Sequence, residues 1–430
     1  MHERIYRFLF SDEDARVCKD IPDSACDDQP RNFITQVAAL TLTKTGDQFM
    51  DPKITLSWLL TTLGAPSVFL SLLVPIHNTF SLLPQMLVAY LIRRAPVRKW
   101  FWSVGSVGQG ITLLFMCYVA LDFEGAQAGF WIIFLLFVFS LCRGVCSVAQ
   151  KDVLGKTVAK TRRGRVSGYS ESVAGVLTLG LAVYLMLSEQ RTVEVVVVIL
   201  LIAALLWLFS ALVFAGVAEQ PGATVGGANG IEQAWQQFSV IKTDAEFRKF
   251  VLVRSALLGS ALMAPYLVAL AQNDAGSALS VLGSLLMAGS LASFVSGATW
   301  GSLADSSSAR CMTIAGSLAA LSGFAAIVLV SLEMANMVVF ALCVFTLYLA
   351  HAGVRVGRKT HLVDMANEDN RSTLVAVSNT LIGIMLLLFA GVGAVVSQFH
   401  AFAGLGFFSA LALAGALMAT TLEQVQHKAN

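Results

Sequence analysis

From about residue 33 to residue 421 the chain is a succession of apolar runs, each close to the length needed to cross a bilayer. A spanning helix takes about 20 such residues. The runs cover roughly 33–59, 64–92, 100–121, 127–149, 166–187, 193–217, 250–271, 277–303, 311–332, 336–356, 373–396 and 402–421. Open strands in hydrocarbon would leave backbone N–H and C=O groups unpaired, so each run is expected to be a helix. Charged residues make up 13% of the 430 positions, where soluble domains average about 25%. The expected fold class is an all-α membrane protein of twelve transmembrane helices held in the lipid bilayer.

Lys and Arg set the expected orientation. The turn with Arg93, Arg94, Arg98 and Lys99 is basic, as is the loop from Lys151 through Lys156, Lys160, Arg162 and Arg163 to Arg165. Arg310, Arg358, Lys359 and Arg371 fall on the same side, while the opposite turns carry Asp122, Glu124, Glu189, Glu194, Asp274 and Glu333. The positive-inside rule then puts both termini in the cytosol, and an even number of spans agrees. The expected divisions are a cytosolic leader at 1–32, a six-helix bundle at 33–217, a cytosolic linker at 218–248, a second bundle at 249–421 and a tail at 422–430. The linker holds the flexible stretch Pro221 to Gly227, followed by the pattern of an amphipathic surface helix from Ile231 to Ser239. A net charge of +2 gives no argument for a nucleic-acid partner. Cys18 and Cys26 stand in the polar leader at a spacing that fits no common zinc site, and the other five cysteines lie in apolar runs as small packing residues. No cofactor or metal is expected.

One segment violates the apolar pattern. Gly46-Asp47-Gln48-Phe49-Met50-Asp51-Pro52-Lys53 puts three charges and a proline inside the first span. A charge near the membrane centre costs roughly 2.5–3.5 kcal/mol on translocon scales, so charges kept there face a water-filled cavity or a partner. The pattern returns 213 positions later as Gly259-Ser260-Ala261-Leu262-Met263-Ala264-Pro265, without the charges. A second match aligns residues from Lys151 with residues from Lys359, pairing Arg163 with Arg371 and Ser170 with Ser378 at an offset of 208. A third sets Tyr90-Leu91-Ile92-Arg93-Arg94 against Gly301-Ser302-Leu303-Ala304-Asp305. The chain therefore reads as two related halves, the parallel six-plus-six arrangement of one large transporter class.

Two motifs carry a resemblance to that class. Gly301-Ser302-Leu303-Ala304-Asp305 with Arg310 resembles the Gly-x-x-x-Asp-x-x-x-x-Arg motif of the major facilitator superfamily, and Arg162-Arg163-Gly164-Arg165-Val166-Ser167-Gly168 resembles its Arg-Arg-Gly-Arg-x-x-Gly loop. The resemblance covers nearly all of 33–421 and implies two pseudo-symmetric six-helix bundles that rock around a central site. It also implies a conformational latch rather than a substrate site for Arg163, Arg165, Asp305 and Arg310, with Arg371 as the repeat partner of Arg163. In the first half Arg94 stands where that motif has Asp, which removes the acid of the usual charge–dipole latch on that side.

Candidate site residues gather around the charged segment. Lys44, Asp47, Gln48 and Asp51 stand at i, i+3, i+4 and i+7, one helical face. Pro52 removes a backbone donor and loosens the helix there. This face, with Lys53, is expected to line a central cavity, with Asp47 as a proton-carrying carboxylate. The competing readings are a purely structural Lys44–Asp47 pair, or a span that starts later. Arg143 and His351 are repeat-equivalent at an offset of 208 and would flank the cavity together. Arg254 either lines the cavity or snorkels. Arg355 and Arg358 read first as snorkelling side chains. Glu171 either pairs with a loop arginine or serves in coupling, and His77 and Asn78 are near-central polar groups. Gly105, Gly108, Gly110, Gly283 and Gly289 read as helix-contact glycines.

The expected function is secondary active transport of a small, anionic or zwitterionic solute by alternating access, coupled to protons, by a monomer in a plasma or bacterial inner membrane. No Walker loop is present to supply ATP chemistry, and no enzymatic activity is expected. Efflux of hydrophobic drugs, or a transporter-like membrane sensor or scaffold, are the readings held against it.

Overall fold

A computed structural model describes residues 26–82, 88, 92, 94–187, 193–222, 238–276, 278–366, 371–400 and 402–425, with the side chains of 160, 161, 298 and 371–373 outside the description. Every regular element among these residues is helical. The first half contains α1 (Gln29–Phe49), α2 (Thr55–Thr62), α3 (Ser67–Leu82), α4 (Lys99–Asp122), α5 (Gly125–Thr157), α6 (Lys160–Met186) and α7 (Val193–Ala215). A short α8 (Val240–Thr243) precedes α9 (Ala245–Ala256), α10 (Gly259–Leu262), α11 (Ala264–Ala275), α12 (Leu279–Ser306), α13 (Ser308–Ser331), α14 (Met337–Met365), α15 (Arg371–Val396) and α16 (Ala403–Ala419).

Taken in chain order, these helices group into twelve successive helical segments. Nine stretches among the described residues are long and apolar enough to cross a bilayer, and α3 and α16 are shorter apolar helices. The remaining segment is the first, which is divided into α1 and α2. The seventh segment, one apolar stretch over Ala245–Ala275, is also divided, into α9, α10 and α11. Local chemistry sets several ends. Pro30 occupies the first turn of α1, where its missing N–H costs nothing. Asp244, Ser307 and Asn336 cap α9, α13 and α14 by accepting the N–H of Phe247, Arg310 and Val339. Gly125 opens α5 at φ 58°, a left-handed turn that a side chain resists, and donates its N–H to Leu63 O at 2.7 Å.

Helix ends depart from the hydropathy limits on the basic side. α5 runs to Thr157 rather than 149, α14 to Met365 rather than 356, and α6 starts at Lys160 rather than 166. Hydropathy marks the edge of the hydrocarbon, while backbone hydrogen bonding continues into the charged zone. The 33 residues of α5 span about 50 Å at about 1.5 Å per residue, well beyond a core of about 30 Å. The amphipathic pattern from Ile231 lies almost wholly outside the described residues.

The two halves repeat one packing scheme. In the first, α4 packs on α5 and α7, α3 on α5, and α1 on α6 and α7. In the second, α13 packs on α14 and α16, α12 on α14, and α9 on α15 and α16. Between the halves, α6 meets α12, α3 meets α15 and α2 meets α11. The α6–α12 contact is close: a methyl on Gly283 would stand 2.5 Å from the Met186 N and 2.8 Å from the Ala182 O.

The apolar core shows how the halves lean. One large cluster crosses between them at the end bearing the acidic turns, joining Leu56, Trp58 and Leu59 to Leu262, Met263 and Leu282. At the basic end the core splits in two. One part holds Phe33, Trp102 and Phe214 in the first half, and the other holds Phe247, Phe250, Trp300 and Met312 in the second. The described hydrogen bonds between the halves follow the same gradient. Gln272 donates to Thr62 at 2.5 Å, Ser67 and Ser397 hydroxyls meet at 3.3 Å, and Thr79 donates to Gly383 O at 3.1 Å. All lie between the middle and the acidic end. Among the described residues the halves share one core at the acidic end and keep separate cores at the basic end.

Candidate solute-binding site

The site is built on the break in the first segment. α1 stops at Phe49, and Asp51 then turns the chain by accepting the N–H of Lys53 at 2.6 Å and of Ile54 at 3.1 Å. Pro52 has no N–H to offer a continuing helix. Asp51 therefore lies past the end of α1 and leaves the helical face that the spacing predicts; its carboxylate holds the turn.

The other three residues of that face find partners on two neighbouring helices. Asp47 accepts a hydrogen bond from the Arg143 guanidinium of α5 in an ion pair whose side chains keep 18% and 29% exposure. Lys44 pairs with Glu171 of α6 at 3.1 Å, and the Thr178 hydroxyl of α6 donates to Gln48 Oε1 at 2.5 Å. Lys44 and Asp47 thus pair outward rather than with each other, and Glu171 takes Lys44 in place of a loop arginine. The Lys44–Glu171 side chains are 38% and 62% exposed. An exposed pair of this kind is worth about 0–1 kcal/mol.

Lys53 is the point where the halves meet. Its ammonium lies 5.5 Å from the centre of the Tyr348 ring on α14, within cation–π range. It stands within electrostatic reach of Asp51, His77, His351, Arg355 and Arg358. The Tyr348 hydroxyl faces Asp51 but has no aligned hydrogen bond, and His77 Nδ1, stacked over Phe139, also lacks one. His351 Nδ1 meets the Ser260 hydroxyl of α10 at 3.0 Å. Arg143 and His351 each bond within their own half, and Lys53 stands in the space between those halves.

The second half contributes positive charge. Arg254 is buried on α9 and donates to Ser378 at 2.5 Å and to Asn379 at 2.9 Å, with its Nε left unpartnered. Its hydrogen bonds are to neutral groups of α15, so it is tied inside the bundle rather than snorkelling. Arg358 lies within electrostatic reach of Arg254, Arg355 and Lys53, and Arg355 within reach of Lys53. Arg355 is exposed and Arg358 half-buried, which is compatible with the snorkelling that the sequence suggests.

The residues expected to form a latch lie apart from this centre. Arg163 donates to Val158 O at 2.9 Å and Gly155 O at 2.7 Å, closing the last carbonyls of α5. Arg94, Arg165, Asp305 and Arg310 are exposed, Asp305 and Arg310 form no ion pair with each other, and the Arg371 side chain lies outside the description. The strongest clasp on the basic end was missed by sequence reasoning. The Glu219 side chain is fully buried and accepts the N–H of Arg98 and Lys99 at 2.7–2.9 Å, at the start of α4, and the Lys156 ammonium at 3.0 Å. Arg98 and Lys156 also hold Asp152. A carboxylate on two helix N-terminal amides satisfies orphan donors and complements the helix dipole. Its only trace in the sequence is an acid just before Pro221-Gly222, in a stretch whose composition reads as flexible.

Comparison with known proteins bears on the architecture. No curated protein matches the chain. Among solved structures, a POT family transporter in complex with a thioalcohol-conjugated peptide is similar at 12% identity and TM-score 0.66, covering 94% of this chain and 98% of that one. The nucleoside transporter NupG is similar at 11% identity and TM-score 0.60, covering 91% and 97%. The xylose transporter XylE from E. coli, in an inward-open conformation, is similar at 12% identity and TM-score 0.60, covering 90% and 95%. At these identities the likeness is one of fold. The sequence profile described as the Major Facilitator Superfamily matches residues 46–390, most of the chain. With twelve helical segments, a doubled packing scheme and a polar centre between the halves, the chain belongs to the Major Facilitator Superfamily.

Proposed function

We propose that this chain is a secondary active transporter that carries a small, anionic or zwitterionic solute by alternating access, coupled to protons. The observation that carries the reading is the polar break of the first segment, where Asp47 pairs with Arg143 and the Lys53 ammonium lies 5.5 Å from the Tyr348 ring of the second half, whose Arg254, Arg355 and Arg358 enter none of the described ion pairs. Fold alone selects no substrate, since the three similar structures are of transporters described for peptide, nucleoside and xylose. Selection rests on the side chains at the centre. Arginine forks suit carboxylate and phosphate groups.

The basic end is assigned to the cytosol by its Lys and Arg excess, and the separate cores described at that end support an inward-facing conformation as the proposed state. Residues 33–217 and 249–421 are the proposed moving bodies, with 1–32 and 422–430 as cytosolic termini and the host a plasma or bacterial inner membrane. Coupling is assigned to Asp47. Protonation of its carboxylate dissolves the bond to Arg143 and frees a guanidinium toward the gap, so proton and anionic solute favour one another. Arg163, Arg165, Arg310 and Asp305 are assigned to the movement of the basic ends rather than to solute.

Flux of labelled organic anions and amino acids into proteoliposomes, with and without an imposed pH gradient, tests the reading. Accumulation that depends on the gradient is expected for at least one anionic or zwitterionic solute. Uptake only of uncharged or cationic amphiphiles would move the assignment to drug efflux, and binding without flux to a sensor.

A further inference from the structure

Resting on the alternating-access reading, we infer that α6 and α12 close on one another along a track of glycines, with the Phe294 ring as its plug, when the basic ends of the halves come together. The two helices already touch at the acidic end, where a methyl on Gly283 near the start of α12 would stand 2.8 Å from Ala182 O near the end of α6. Steps of 7, 11, 14 and 18 residues return to one helix face at about 3.6 residues per turn. Counted forward from Gly283 they reach Ser290, Phe294, Gly297 and Gly301, and counted back from Ala182 they reach Gly175, Glu171, Gly168 and Gly164. The existing contact therefore continues in register toward the basic end, with Gly297 opposite Gly168, Gly301 opposite Gly164, and Phe294 between Gly168 and Gly175.

That continuation is unfilled in the present conformation. A methyl on Gly164, Gly168, Gly175, Gly297 or Gly301 would meet no heavy atom of a neighbour within 4 Å, and Gly164, Gly168 and Gly297 are exposed. Phe294 lies on the same line of α12, within about 20° of Gly283, yet it is 84% exposed. Elsewhere the exposed faces of the two helices carry apolar bulk, as at Val176, Leu177 and Val295. The track instead holds glycines, through which membrane helices approach closely and pack. The bare backbone at Gly168 and Gly175 leaves room for the Phe294 ring, and Glu171 opposite the ring already has its charge matched by Lys44 at 3.1 Å.

Disulfide trapping in the full chain tests the inference. Gly168→Cys and Gly297→Cys are combined in a cysteine-free background with a protease site placed in the linker, within 223–237, and membranes are treated with copper phenanthroline. A disulfide needs Cβ atoms about 3.5–4.5 Å apart, so the pair joins only where the track has closed, and a minor closed population suffices to feed it. After proteolysis the halves are expected to stay joined until reduced, and Gly164→Cys with Gly301→Cys to behave alike. Gly168→Cys with Thr299→Cys, on the opposite face of α12, is expected to join at least about tenfold more slowly. Phe294→Ala, and Gly175→Leu by filling the place of the ring, are each expected to slow joining of the first pair at least about threefold. Halves that separate with both glycine pairs overturn the inference, and gradient-driven flux by the same variants before oxidation then leaves the transporter reading intact. Equal joining of the Thr299 pair overturns the register, and linkage between two copies of the chain makes the track an intermolecular face and overturns the closure. An unchanged rate in both Phe294→Ala and Gly175→Leu assigns the ring to lipid and overturns its part in the seam.

Discussion

The broken helix that opens the first half and the one that opens the second share Gly, Met and Pro at matching positions, but their surroundings differ. In the second, Gly259, Ser260, Ala261, Leu262, Met263 and Ala264 are all buried, and a methyl on Gly259 would stand 2.3 Å from Phe408 O. In the first, Asp47, Asp51 and Lys53 sit in the break with partial access, and a methyl on Gly46 would meet the Trp207 ring at 2.9 Å. Each break packs on the last helix of its own half. The break itself is thus part of the repeated fold, a place where one helix bends around another. The charges were placed on one copy only, facing a second half that supplies cations but no described carboxylate at that level. Discontinuous helices near the midplane commonly hold transporter sites, a role proposed for the first break, while the second is buried in packing.

The largest expected contrast lies in transport. Asp47→Asn removes the ionic partner of Arg143 and is expected to lower gradient-driven uptake about a hundredfold, whereas Ser260→Ala in the second break changes it less than about threefold. Initial uptake rates in proteoliposomes measure both, and similar losses would erase the distinction between the breaks. The stability cost of Asp47→Asn is expected near 2 kcal/mol, below the 3–5 of a fully buried pair, because the pair keeps 18% and 29% exposure.

Stability should show the reverse order for the glycines. Gly259→Ala drives a methyl into backbone and is expected to cost about 1–3 kcal/mol, with Gly46→Ala at the low end of that range because it meets a side chain. Thermal melting of the two variants decides it, and a costlier Gly46→Ala would contradict the packing role given to the second break. A smaller contrast is expected at the prolines. Pro52→Ala should slow uptake severalfold by letting α1 continue toward α2, while Pro265→Ala, at the first turn of α11, leaves the rate nearly unchanged. The smallest effect belongs to Lys44→Ala. Its exposed pair with Glu171 is worth at most about 1 kcal/mol, and melting within about 2–4 °C of wild type is expected.

The twelve segments were legible because a bilayer imposes length and apolarity on anything that crosses it. Their ends were less so, since α5 and α14 keep their hydrogen bonds past the point where Lys151 and Lys359 signal the headgroups. Pro52 announced the first break, but Asp51 as the residue that closes its turn was concealed by an i+7 spacing that holds only while the helix is unbroken. Asp47 and Arg143 were each singled out, yet their bond joins positions 96 apart in sequence, and no local pattern encodes it. Arg355 and Arg358 show the limit most clearly. Three residues apart on one helix, they share a face, but which neighbour that face meets depends on packing. Glu219 is the converse case, a buried acid hidden in a segment of flexible composition.

The account depends on water reaching the charged break from the basic end. Lys44, 38% exposed in the site, reports on this as Lys44→Cys in a cysteine-free background, treated with a membrane-impermeant thiol reagent in right-side-out and inside-out vesicles. The account predicts rapid labelling from the cytosolic side, slow labelling from the other, and protection by the transported solute. Labelling from neither side, or only by a lipid-soluble reagent, would place this residue against protein or acyl chains and contradict a solvent-reached site between the halves.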